Sequence, residues 1–118
     1  MMTEIAVYTR LVAKPQRRDD LVNALRPFLD NIANEPGTLG YALHLDASDD
    51  NAIWFYSVFS DQDALDTHRR NEAKLAGTYP EVGQLMSESV SPVEVHGVPV
   101  STTISPGNEA ALTERTRS

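Results

Sequence analysis

The sequence predicts an α+β domain of the split β-α-β kind, with a four-stranded antiparallel sheet. Three observations carry this reading. Segments with a two-residue apolar period alternate with segments of helical period, in the order β-α-β-β-α-β. The 118 residues suffice for one core and not for two. The segment AIWFYSVF, Ala52 to Phe59, is apolar on both faces, which marks a strand in the middle of a sheet.

Each element has its own signals. Glu4 to Lys14 reads as strand one, with Ile5, Val7, Thr9 and Leu11 on one face and Ala6, Tyr8, Arg10 and Val12 on the other. Pro15 ends it and suits the first turn of a helix. Gln16 to Asn34 is helical: Leu21, Leu25, Phe28, Leu29 and Ile32 form one apolar stripe, and Asp19 and Asp20 lie where the helix dipole favours negative charge. Pro27 cannot donate to the Asn23 carbonyl, so a kink is expected there. Glu35-Pro36-Gly37 stops the helix.

Thr38 to Asp46 is strand two, followed by a polar turn to Asn51 and then strand three. Ser60-Asp61-Gln62-Asp63 resembles a capping box, so the second long helix starts near Asp61 and carries His68, with Gly77 and Tyr79-Pro80 interrupting it. Glu81 to Ser87 forms short turns. Val90 to Val95 is strand four, and Pro92 within it demands an edge position or a bulge. The order defines a ferredoxin-like domain over residues 1–96. Residues 97–118 change character, with Pro99, Pro106, Gly107 and a Ser/Thr-rich run, and read as a C-terminal tail that packs on a partner subunit.

Two helices cover one sheet face. The other presents Tyr8, Val12, Trp54, Tyr56 and Val58, or else the opposite parity set, which is equally apolar. A bare apolar face marks an interface, and a two-fold homodimer packing sheet on sheet would cover it.

Composition excludes several function classes. There are no cysteines, which removes disulfide scaffolds, thiol catalysis and cysteine metal clusters. Net charge is −7, and the basic pairs Arg17-Arg18 and Arg69-Arg70 each lie beside acidic residues, so neither nucleic acid nor an anionic membrane is expected as a partner. The first ten residues carry Glu4 and Arg10 and no apolar run fit for a signal peptide. Nor does any stretch reach the roughly 20 apolar residues of a membrane span, and a cytoplasmic location is expected. His44 and His96 lack ligand spacing to His68, so no metal site is expected. No phosphate loop or dinucleotide motif occurs, and Ser57 and Ser60 lack the setting of a nucleophile elbow.

The opening strand into Ala13-Lys14-Pro15, the run Glu35-Pro36-Gly37-Thr38-Leu39-Gly40-Tyr41, and the aromatic third strand leading into Ser60-Asp61-Gln62-Asp63-Ala64-Leu65-Asp66-Thr67-His68 together resemble the antibiotic biosynthesis monooxygenase (ABM) domain family. The resemblance covers the first 96 or so residues. It implies a dimeric α+β barrel with a pocket between helices and sheet in each subunit. It also implies cofactor-independent oxygenation of a small aromatic phenol, quinol or polyketide-type substrate by O₂, without metal, flavin or nicotinamide. Other members are isomerases or haem-degrading enzymes. The haem-degrading branch carries an Asn early in strand one, which this sequence lacks, and Phe59 stands where many members have Trp.

On this reading His68 falls on the family's helix histidine position and is the candidate catalytic residue, a general base with an ordinary pKa near 6.5. The bland alternative is a histidine with a structural hydrogen bond. Phe55 and Phe59 would floor the pocket, Tyr41 would pack on the ring from strand two, and Tyr79 would reach the mouth. Arg10 is a snorkelling side chain, a dimer ion pair or an anchor for a substrate anion. Trp54 and Tyr56 read more simply as core or interface than as ligand contacts. The rival functions are a non-enzymatic module for a hydrophobic metabolite and a cofactor-free isomerase.

Overall fold

The computed structural model describes residues 3–88 and 90–100. The proposed tail thus lies outside the described residues beyond position 100. The elements are β1 (Glu4–Val12), α1 (Arg18–Ala24), α2 (Arg26–Ile32), β2 (Thr38–Leu45), β3 (Ala52–Phe59), α3 (Gln62–Thr78), α4 (Glu81–Leu85) and β4 (Val93–Gly97). The four strands form one antiparallel sheet in the order β2-β3-β1-β4. This is the split β-α-β arrangement, with the aromatic strand and β1 in the middle.

Several boundaries differ from expectation, and three of the differences have a backbone reason. β1 ends at Val12 because the chain turns toward α4: Ala13 bridges Met86, and the Lys14 N–H donates to the Leu85 carbonyl at 2.8 Å. The helix expected over 16–34 is two helices meeting at Leu25. Pro27 removes a donor one turn above Asn23, and α2 starts with that proline in its first turn, where no partner is needed. β4 starts at Val93, after Pro92, whose missing N–H keeps it out of the ladder.

Arg18, read from sequence as part of a basic pair, is a clamp. Its guanidinium donates to the carbonyls of Asp46 and Asp49, each at 2.9 Å, and of Ala52 at 3.3 Å, fixing the β2–β3 turn against α1.

Two apolar clusters hold the helices to the sheet. One joins Leu11, Ala13, Leu21, Leu25, Ile53 and Leu85; the other joins Ile5, Val7, Phe59 and Leu65. All come from the face that carries Ile5 and Val7, which settles the parity left open by the sequence. The opposite face is uncovered in the single chain. Tyr8 and Trp54 are 45% and 43% exposed there, and Val93 and Val95 extend the patch along β4.

The start of α3 is set by two residues. Asp61 is the N-cap, its carboxylate accepting from the Ala64 N–H at 2.8 Å, so the cap is one residue later than Ser60. Gly37 allows the close approach of this end to the turn before β2. A Cβ at Gly37 would fall 2.4 Å from the Ala64 Cβ. Gly37→Ala is therefore expected to push α3 outward and destabilise the fold by about 1–3 kcal/mol, the usual scale of overpacking. An unchanged denaturation midpoint would show that α3 is not pinned here.

Candidate active site

His68 lies on the inward face of α3, 7% exposed, one turn beyond Leu65. Its ring is tilted 45° to that of Phe59, with centroids 4.9 Å apart. Both ring nitrogens face carboxylates. Nδ1 is 2.8 Å from Glu35 Oε1, and Nε2 is 2.8 Å from Glu72 Oε1, one helical turn further along. The two carboxylates differ in kind. Glu35 is buried, whereas the Glu72 side chain is half exposed.

Glu35 is held by four donors. Oε1 accepts from the Thr38 hydroxyl at 2.9 Å and faces His68, while Oε2 accepts from the Asn31 amide at 2.9 Å and the Asn71 amide at 2.7 Å. Those donors come from α2, β2 and α3. Three of these groups, the Thr38 hydroxyl and the Asn31 and Asn71 amides, can only donate to it, and a carboxylate oxygen only accepts. Nδ1 therefore carries hydrogen toward Glu35.

Burial is the largest single influence on His68 and disfavours its charge. The hydrogen bond and charge of Glu72, followed by those of Glu35, outweigh it together, and the pKa is raised above the ordinary histidine value.

Beside His68 opens a cavity of about 600 Å³ between helices and sheet, where the two apolar clusters would otherwise meet. The sheet supplies Val7, Thr9, Leu11, Phe55, Ser57 and Phe59 to its floor. Leu25, Phe28, Leu29 and Ile32 form one side. Tyr79, Pro80, Val82, Gly83, Met86, Val90 and Pro92 form the other. The polar side chains on the wall are few: Thr9, Ser57, His68, Arg69, Glu72 and Tyr79. Arg69 is paired with Glu94 of β4.

The structure brings His68, Phe55, Phe59 and Tyr79 to this one cavity. It does not bring Arg10 or Tyr41 there. Arg10 is opposite Trp54 in the sheet, with the even-numbered residues of both strands, and so points away from the helices. Its guanidinium lies 2.7 Å from Asp49, 3.5 Å from Glu88 and 6.0 Å from the centre of the Trp54 ring. The anion-anchor role expected of it has no support from this geometry. Tyr41 is opposite Ser57 and shares the helix-facing side, but β2 is the outer strand and the cavity wall stops at β3.

Sequence reasoning missed the two carboxylates. Glu72 was within reach, since residues four apart on a helix are neighbours. Glu35 was seen as part of a helix stop and of the run that carries the family resemblance, not as a partner of His68. Among the described residues no group of three His, Cys, Asp or Glu side chains is arranged to hold a metal ion. None of the described helices is long and apolar enough to cross a membrane.

Fold and site define a small α+β domain with an apolar cavity and a carboxylate-backed histidine in its wall. The profile of the family described as Antibiotic biosynthesis monooxygenase (ABM) matches residues 4–77, and the chain belongs to that family. An uncharacterized protein of Synechocystis sp. is 28% identical over 64 residues, 54% of this chain and 44% of its own length; the match spans less than half of that relative. A solved structure of an antibiotic biosynthesis monooxygenase superposes with a TM-score of 0.69 at 25% identity, covering 80% of this chain and 99% of that one. The PA3566 protein of Pseudomonas aeruginosa gives a TM-score of 0.69 at 24% identity, covering 84% and 98%. The Rv0793 protein of Mycobacterium tuberculosis gives 0.68 at 23%, covering 85% and 98%.

Proposed function

We propose that the protein is a cofactor-independent monooxygenase acting on a small aromatic phenol or quinol with O₂. The observation that carries this reading is His68 in the wall of an apolar cavity, with a fixed buried carboxylate behind Nδ1 and only the half-exposed Glu72 on Nε2. Triplet O₂ reacts with a closed-shell molecule only through one-electron steps, and a phenolate gives up an electron far more readily than a phenol. The site's task is therefore to make that anion and keep it dry.

His68 is the base. A phenol hydroxyl takes the place of the half-exposed Glu72 at Nε2, and its proton passes to that nitrogen as Glu35 stabilises the imidazolium that forms. Moving Glu72 away removes the larger carboxylate influence on His68, so the imidazole in the complex is neutral at lower pH than in the free protein. Phe55, Phe59 and Tyr79 pack on the ring. Oxidation of a phenol to a quinone balances with O₂ alone: one oxygen atom becomes the new carbonyl, and the other leaves as water with the ring and hydroxyl hydrogens.

The test is O₂ uptake by purified protein, without added cofactor, on a panel of naphthols and hydroquinones, with autoxidation subtracted. Uptake proportional to protein, with a quinone product, is expected. A binding module for a hydrophobic metabolite is the second reading, favoured by the engagement of both His68 nitrogens within the protein itself. Saturable binding with flat O₂ traces on every compound would select it, and substrate isomerised without O₂ would select an isomerase.

We also propose that two chains pack their bare sheet faces together. Tyr8, Trp54, Val93 and Val95 supply an exposed apolar surface there, and the Tyr8 and Tyr56 rings lie 5.0 Å apart within it. Sedimentation is expected to give a dimer that Tyr8→Glu dissociates. A monomeric parent protein would sink the idea.

A further inference from the structure

We propose that the cavity selects a neutral ring bearing a hydroxyl over the same ring bearing a carboxylate, and that Glu72 enforces the choice. The proposal deepens the phenol reading above and rests on it.

His68 Nδ1 is committed to Glu35, whose two oxygens already receive four donors. Nε2 is the nitrogen left for a ligand, and Glu72 Oε1 occupies it at 2.8 Å. Glu72 lines the cavity and is half exposed, so it can swing toward solvent when a ligand arrives. Arg69, the other cation on the wall, is paired with Glu94. One imidazole thus stands between two carboxylates, and the wall has no unbalanced positive charge among the described residues.

Ligand chemistry then decides. A phenol hydroxyl is neutral: it donates its single hydrogen to Nε2 once Glu72 swings aside, and it adds no charge beside the two carboxylates. A carboxylate only accepts. It can take the place of Glu72 only on a protonated Nε2, and it leaves three negative groups around a single imidazole. Like charges a few ångströms apart repel appreciably even near the surface.

Two matched rings test this: 2-naphthol, neutral near pH 7, and 2-naphthoate, an anion there. Each is titrated calorimetrically into the full chain and into Glu72→Gln. Glu72 is half exposed and loses only its contact with His68, so a cooperative transition with a midpoint lowered by no more than about 5 °C is expected and confirms that the variant is folded. The parent protein is expected to bind the naphthol at least about tenfold more tightly. In Glu72→Gln that ratio is expected to fall by about tenfold, chiefly because naphthoate binding improves. An unchanged ratio, a preference of the parent protein for naphthoate, or binding of neither ring overturns the proposal. No turnover is required. Selective binding without O₂ uptake would refute oxygenation alone, and oxygenation with no effect of Glu72 on selection would refute this inference alone.

Discussion

Replacing His68 by glutamine is expected to cut oxygenation by roughly 10²–10⁴-fold, the usual contribution of a positioned general base. Glutamine can offer an amide N–H to Glu35 Oε1 in place of Nδ1–H, but it has no group that takes a phenolic proton. The apolar contacts of Phe55, Phe59 and Tyr79 with the ring are untouched, so the loss should fall on kcat with KM little changed. The pH profile carries the sharper signature. Only neutral imidazole is a base, so the parent rate should climb as pH rises through the His68 value, and this ascending limb should vanish in the variant. A variant that kept both the rate and the limb would exclude His68 as the base.

Replacing Glu35 by leucine is expected to have the largest effect on stability. It strands the buried Thr38 hydroxyl and His68 Nδ1–H, takes the acceptor from the part-buried amides of Asn31 and Asn71, and removes one of the two counter-ions of His68. Breaking a buried charged set in this way costs about 3–5 kcal/mol, which for a domain of this size lowers the thermal midpoint by more than roughly 10 °C. Glu35→Gln should cost less, because it retains one acceptor oxygen, although its amide N–H₂ then faces two donors.

The pH dependence has a definite sign. The folded pKa of His68 is raised by Glu72 and Glu35, the charged groups that face it. Its contribution to stability is therefore fully present below the ordinary value near 6.5 and is lost as pH rises through the folded value. Denaturant midpoints should fall as pH rises above about 6.5 in the parent protein, and by less in Glu35→Leu. A parent midpoint independent of pH there would contradict the linkage.

Much of the architecture was legible because its signals are local. β3 begins and ends where its apolar run does, and Pro27 and Pro92 announced the helix break and the edge strand, though not that the strand would start only after Pro92. The parity of β1 also contained the position of Arg10: it alternates with Val7 and Leu11, so it cannot share a face with the cavity floor. Assigning it to a substrate set chemistry above geometry. Tyr41 shows the converse limit, since its face follows from alternation but its distance from the cavity depends on strand order. Glu35 was the least legible. It lies 33 residues from His68, and nothing in the intervening sequence states that the end of one helix will meet the middle of another. The one local hint was Gly37 beside it, a residue whose missing side chain lets the two segments touch.

The four donors around Glu35 have a consequence for the timing of reactivity. They belong to α2, β2 and α3, which come together only as the sheet closes. A chain in which α3 has yet to dock possesses the histidine but lacks the carboxylate behind it, and its cavity is open to water. Such a chain neither orients the imidazole nor shelters an electron-rich anion from solvent. On the proposed oxygenase reading, reactivity toward O₂ therefore begins only once the fold is complete, and a nascent or damaged copy lacks the site that would support it.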